Sequence, residues 1–163
     1  MLHADEVIAL LHLEPLIIEG GFFSETYRCP ESVPFGQWGV RSLATTIYYL
    51  LRGADVSKLH RLRADEIFHF YAGDPVEMLL LSDGDGKKVT LGADLAAGMR
   101  PQVLIPRNTW QGCRLSPGGA WALLGTTVSP GFAYEDFEPG SSAELAALHP
   151  AHADLIRTLN PEP

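Results

Sequence analysis

The sequence has few cysteines and no cysteine pattern. Its 163 residues include two, Cys29 and Cys113, which form neither a disulfide framework nor the close spacing of a metal-binding motif. This usage indicates two free thiols in a reducing compartment, because disulfides persist mainly in oxidising ones. We therefore expect a cytoplasmic protein.

Clusters of basic residues and long apolar runs are also absent. The chain has 12 Lys and Arg residues against 20 Asp and Glu residues, which gives a net charge of −8. A nucleic-acid binder needs a basic face that displaces counterions from phosphates, so the sequence predicts no nucleic-acid partner. No apolar run approaches the ~20 residues that span a bilayer. The N-terminal segment MLHADEVIALLHLEPL has acidic residues where a signal peptide has basic ones, so we expect no membrane partner.

What the sequence does have is a series of short β-prone runs separated by Gly and Pro. The runs are aromatic, β-branched or alternating in polarity, and they cover residues 22–29, 43–51, 76–81, 88–92, 101–106, 109–115 and 120–128. Residues 83–86 and 116–119 are predicted as hairpin turns between pairs of these strands. Many short strands with such punctuation are typical of an antiparallel sandwich or barrel.

Helical patterns occur near the two ends. Asp5 begins a short amphipathic run that ends near Glu14, and Ser142 can cap a second helical segment that continues to Leu159. The sequence has no internal repeat, linker or low-complexity segment. We therefore predict one all-β domain over residues 1–163, with a barrel at about 20–138 and helical ends at 4–14 and 142–159.

The segment HRLRADEIFHFYAG, residues 60–73, contains the polar residues of most interest. It predicts two strands with a break at residues 63–65, after which Glu66, Phe68 and Phe70 share one face. A carboxylate on an apolar wall costs free energy unless something pairs with it. His60 is the nearest upstream group of suitable chemistry, so we expect His60 and Glu66 to form a pair.

The order of motifs along the chain resembles that of the cupins, and within them the uncharacterised group catalogued as cupin-5 or DUF985. The matching segments are EGGFFSETYR at 19–28, TTIYYLL at 45–51, the run at 60–73, IPRNTWQ at 105–111 and PGF at 130–132. The resemblance implies a jelly-roll β-barrel, an antiparallel double-stranded β-helix, whose cavity binds a small molecule. It also implies a homodimer paired through the barrels, but it brings no settled activity.

The general cupin pattern has a metal site of three histidines and one glutamate, and half of it is present here. His60 and Glu66 match, Leu62 stands at the second histidine position, and Gln111 stands at the last one. Zinc and redox-active metals usually have at least three imidazole, thiolate or carboxylate ligands. The resemblance therefore implies at most a weak divalent metal site of His60, Glu66 and Gln111. Gln111 would also face a ligand in the cavity.

Without a metal, His60 and Glu66 can still act on protons. A neutral histidine hydrogen-bonded to a carboxylate is oriented and made more basic, which suits proton abstraction. By analogy with metal-free sugar-nucleotide epimerases of the cupin fold, His60 would be the base and Glu66 its orienting partner or a second acid or base. Tyr49 or Tyr134 would be the acid. The protein would then be a metal-independent isomerase or epimerase of a sugar-like or carbonyl substrate.

Two other functions stay open. In the first, His60 and Glu66 satisfy each other in the cavity of a non-catalytic small-molecule binding module. In the second, a metal-dependent enzyme uses the degenerate metal site. Phe68 and Phe70 are further candidate ligand contacts because they share the face of Glu66, although the same side chains suit the core. Arg41 can bind an anionic ligand group or form an ion pair.

Overall fold

The β-prone runs form strands, and the helical patterns form helices at the two ends. In the computed structural model, which describes residues 2–161, the helices are α1 Ala4–Leu11, α2 Ser142–Leu148 and α3 Ala153–Leu159. The strands are β1 Glu14–Pro15, β2 Phe22–Arg28, β3 Ser32–Pro34, β4 Val40–Ser42, β5 Thr45–Arg52, β6 Val56–Leu62, β7 Asp65–Gly73, β8 Val76–Ser82, β9 Asp85–Leu91, β10 Gln102–Ile105, β11 Trp110–Leu115, β12 Trp121–Ser129 and β13 Phe137–Pro139. Met1 and residues 162–163, which the predicted domain includes, lie outside the described residues.

Two antiparallel sheets face each other and form the barrel. The larger sheet has the order β1-β2-β5-β12-β7-β10, and the smaller has the order β13-β6-β11-β8-β9. From β9 onward each successive strand lies in the opposite sheet, as in a jelly roll. The predicted all-β jelly roll with short helices at both ends is confirmed.

Hydrophobic side chains from both sheets meet in the interior. Tyr49, Phe68 and Leu124 of the larger sheet belong to the same cluster as Met78 and Cys113 of the smaller sheet, and each is at most 1% exposed. Removing this apolar area from water, at about 25 cal/mol per Å², is the main force that holds the sheets together. Cys113 is thus a small core residue, and both Cys113 and Cys29 are free thiols.

The helices cover the outer faces of the sheets. Val7 of α1 packs on Leu50, so β5 is buried on both of its faces, as its uniformly apolar sequence predicts. Leu145 of α2 and Ile156 of α3 pack on Leu79 of the smaller sheet. No helix in residues 2–161 is long and apolar enough to span a membrane.

One connection differs from its prediction. The hairpin predicted at residues 83–86 is present, since the turn there joins β8 to β9 and these two strands pair. The hairpin predicted at residues 116–119 is wrong, because β11 pairs with β6 and β8 whereas β12 pairs with β5 and β7. Turn residues reverse the chain, but burial across the whole barrel decides which strands pair. The loop crosses between sheets, and Asp74 accepts a hydrogen bond of 2.6 Å from the backbone N–H of Ala120 to hold it.

Candidate functional site

The polar residues of interest line a cavity that opens at one end of the barrel. The cavity has a volume of about 90 Å³ and is walled mostly by apolar side chains, among them Phe23, Phe132 and Phe137. His60 and Glu66 both line it, from β6 and β7. The two sheets therefore bring both matching residues of the first cupin motif to one cavity.

His60 is held by its backbone surroundings. Its Nδ1 lies 2.7 Å from the carbonyl oxygen of Lys58, and because a carbonyl can only accept, Nδ1 donates this hydrogen bond. The ring of Phe137 stacks on the imidazole, with 4.8 Å between ring centroids and 19° between planes. With Nδ1 committed, the lone pair of Nε2 is the group that His60 offers to the cavity.

Glu66 is buried and held by polar neighbours on two other strands. The side-chain amide of Gln111 donates to its Oε2, and Thr126 lines the cavity beside it. Burial raises the pKa of Glu66 to about 6, and this outweighs the opposite effects of His60, Gln111 and Thr126. The carboxyl group can therefore gain and lose a proton near neutral pH.

The direct pair expected of His60 and Glu66 is not formed. Among the described residues, the carboxylate oxygen nearest to His60 Nε2 is Oε2 of Glu19, at 3.9 Å. Glu66 instead accepts the hydrogen bond of Gln111, whose backbone is directly opposite His60 in the β11–β6 pairing. The two residues thus face the same cavity from neighbouring positions without orienting each other.

Glu19 is the site residue that the sequence did not reveal. Ser57 donates a hydrogen bond to its Oε1, while Oε2 faces His60. Its backbone oxygen accepts a 2.9 Å hydrogen bond from the N–H of Lys58, which ties the loop before β2 to β6. The motif EGGFF contains Glu19, but nothing in the motif itself distinguishes a cavity carboxylate from an exposed one.

The glycine that follows Glu19 makes this close approach achievable. Gly20 has φ of +109°, and a Cβ atom there would lie 2.2 Å from the carbonyl oxygen of Val56. The hydroxyl of Tyr49 donates to the carbonyl of Gly20 at 2.9 Å and fixes the loop from below. The Gly-Gly pair thus has a structural role, because it allows the loop to place the carboxylate of Glu19 at the cavity.

The other predicted ligand contacts are scattered. Tyr134 lines the mouth of the cavity and is 64% exposed. Tyr49 and Phe68 are core residues that do not line the cavity, and Phe70 packs against the same core. Arg41 lies outside the cavity as well.

Arg41 is committed to an ion pair. Its Nε and Nη2 donate to the two carboxylate oxygens of Asp136 at 2.6 Å and 3.0 Å. The side chains of Arg41 and Asp136 are 10% and 4% exposed, so the pair is largely buried. Of the two roles that its sequence context left open, Arg41 takes the structural one here.

The residues present do not fit the metal ion that cupin barrels often hold. Within residues 2–161, no group of three or more His, Cys, Asp or Glu side chains is placed to hold a metal. Leu62 lines the cavity where a second imidazole would be needed. Gln111 directs its amide N–H, which cannot ligate a cation, towards Glu66. The side chains in the described part of the chain therefore do not form a metal site.

Comparisons with known proteins agree with this architecture. Residues 5–139 match the family model described as "Cupin superfamily (DUF985)". A crystal structure of a protein from Shewanella oneidensis has a TM-score of 0.87 at 40% identity, covering 99% of this chain and 100% of that one. A hypothetical protein from Leishmania major has a TM-score of 0.88 at 31% identity, covering 96% and 97%. An uncharacterized protein of Saccharomyces cerevisiae is 30% identical over 158 aligned residues, covering 80% of this chain and 78% of that protein.

Proposed function

This chain belongs to the cupin superfamily (DUF985), and we propose that its barrel cavity binds a small polar organic molecule. The observation that carries the proposal is the position of His60, which is 2% exposed and has Nε2 free to accept a hydrogen bond at the wall of the cavity. Nε2 makes no hydrogen bond to the described residues, so it can accept one from a polar donor group of a ligand in the cavity.

We further propose that the bound molecule undergoes metal-independent isomerisation or epimerisation. His60 Nε2 acts as the base that removes a proton from carbon, and Glu66 is the second acid or base. This assignment is supported by the pKa of Glu66, which burial raises to about 6, because a proton-transfer group works best when its pKa is near the working pH. Tyr134, at the mouth, is the candidate acid for the opposite face of the substrate.

The alternative is a binding module without turnover. It is favoured by the hydrogen bond that Gln111 donates to Glu66, because this bond stabilises the ionised carboxylate and opposes its protonation. The two functions differ in one consequence. An isomerase exchanges a carbon-bound hydrogen of its ligand with solvent, whereas a binding module leaves that hydrogen in place.

Native mass spectrometry of gently purified protein, repeated after incubation in D₂O, tests both functions. We expect a retained organic mass on the wild type that gains one deuterium on carbon. His60→Asn keeps a donor near the Nδ1 position but removes Nε2, so this variant should no longer exchange the carbon-bound hydrogen of the ligand. His12→Asn, at an exposed histidine, is the matched control. A retained ligand without deuterium would identify a binding module. No retained mass and no thermal stabilisation by a small-molecule extract would contradict the whole proposal.

We also propose a cytoplasmic homodimer. The outer face of the larger sheet supports a subunit contact there, since it exposes Tyr71 and Leu104 by 48% and 56%. The free thiols Cys29 and Cys113 support a reducing compartment. The same native spectra report the oligomer, and a monomer at micromolar concentration would refute the dimer.

A further inference from the structure

We propose that the ligand of this cavity is a compact cationic amine, held by Glu19 and Glu66 at the inner wall and by aromatic faces around it. The proposal rests on the proposed function, in that it assumes that the cavity binds a small molecule, and it adds the chemical class of that molecule. It follows from the charges that line the cavity and from how each one is already paired.

Among the described residues, no Lys or Arg side chain pairs with the carboxylates of the inner wall, and the basic group beside them is His60, whose Nε2 lies 3.9 Å from Oε2 of Glu19. Glu19 accepts a hydrogen bond from the hydroxyl of Ser57, and Glu66 accepts one from the amide of Gln111, so both donors are neutral. Buried carboxylates are normally paired with a positive charge. A bound ammonium group would supply that charge to both and would lower the cost of keeping them ionised.

Arg28, the arginine that lines the cavity, does not pair with Glu19 or Glu66. Arg28 lines the wall, but its Nε and Nη2 donate to the two carboxylate oxygens of Glu25 at 2.9 Å and 2.8 Å. Its Nη1 donates to the backbone oxygen of Phe132 at 3.2 Å. An anionic ligand would therefore meet the carboxylates of Glu19 and Glu66 and no free guanidinium, which disfavours carboxylates and phosphates as ligands.

His60 and the aromatic wall complete the recognition of an amine. Nε2 of His60, 3.9 Å from Glu19, is an acceptor for one ammonium N–H, and the carboxylates of Glu19 and Glu66 are acceptors for the others. Phe23 and Phe132 line the same cavity, and aromatic faces attract cations. The volume of about 90 Å³ limits the ligand to a compact molecule.

Three probes of nearly the same shape separate charge from size: isobutylammonium, isobutanol and isobutyrate. Titration calorimetry at neutral pH should give at least about tenfold tighter binding for the ammonium than for the alcohol, and no binding of the carboxylate. Glu19→Gln and Glu66→Gln should each weaken the ammonium by about tenfold and leave the alcohol unchanged, because they remove charge at constant shape. Glu144→Gln, at an exposed glutamate of α2, is the matched control and should change nothing.

Several results would overturn this inference. They are equal or tighter binding of the alcohol or the carboxylate, binding of none of the three probes, and an equal loss of ammonium affinity in Glu144→Gln. Native mass spectrometry tests the proposed function independently of this inference. A retained ligand that is neutral or anionic refutes the amine and leaves the binding function intact, whereas an empty cavity refutes both.

Discussion

Replacing Glu66 with glutamine should make the stability of the fold depend less on pH. Glu66 is 6% exposed, and its pKa is raised from 4.5 to about 6 in the folded protein, chiefly by burial. The folded state therefore holds the proton of Glu66 more tightly than the unfolded state does. The resulting stabilisation is fully present below pH 4.5 and is lost as the pH rises through about 6. The difference between these two pKa values corresponds to about 2 kcal/mol.

Urea unfolding of both proteins at a series of pH values measures this effect. The free energy of unfolding of Glu66→Gln, minus that of the wild type, should rise by about 2 kcal/mol between pH 4.5 and 7.5. Other titrating groups are shared by both proteins and largely cancel in the difference. The glutamine can still accept the hydrogen bond of Gln111, so packing is conserved. A flat or falling difference for Glu66→Gln would refute the reasoning.

Two further predictions concern the loop at Gly20 and the ion pair of Arg41 with Asp136. Gly20→Ala should destabilise the protein by about 2 kcal/mol more than Gly53→Ala in urea unfolding, and it should also weaken ligand binding. Both glycines have positive φ, but only a Cβ at Gly20 meets a backbone oxygen, at 2.2 Å. Equal losses in the two variants would show that the contact with Val56 does not matter. Arg41→Met should cost about 3 kcal/mol because it strips Asp136 of its main partner, whereas Arg61→Met, in an exposed pair with Glu138, should cost less than about 1 kcal/mol. Similar costs for both arginines would refute the importance of burial.

Much of the barrel could be predicted from local pattern. The strand around Tyr49 and Leu50 has apolar side chains on both faces, and it is buried on both, under α1 and against the core. Pairing could not be predicted in the same way. The turn after Leu115 has the residues of a hairpin, yet its two strands belong to different sheets, because pairing depends on strands that are distant in sequence.

The residues of the candidate site that lie in one sequence motif could be predicted. The residues that only the fold brings to the site could not. The spacing of His60 and Glu66 located the cavity. The role of Glu19 could not be read from sequence, because its carboxylate reaches His60 only when the loop at Gly20 lies against β6. Arg41 shows the reverse case, since its partner Asp136 lies 95 positions away and no local pattern indicates it.

The stacking of Phe137 on His60 has a consequence for the order in which the site forms. Phe137 belongs to β13, which pairs with β6, while Glu19 enters from the beginning of the chain. A nascent chain therefore cannot complete the cavity until almost all of its barrel has emerged from the ribosome. A ligand that binds the finished cavity stabilises the docking of both distant segments at once. Protection of residues 130–139 from proteolysis would thus report occupancy of a cavity whose polar residues lie elsewhere in the sequence.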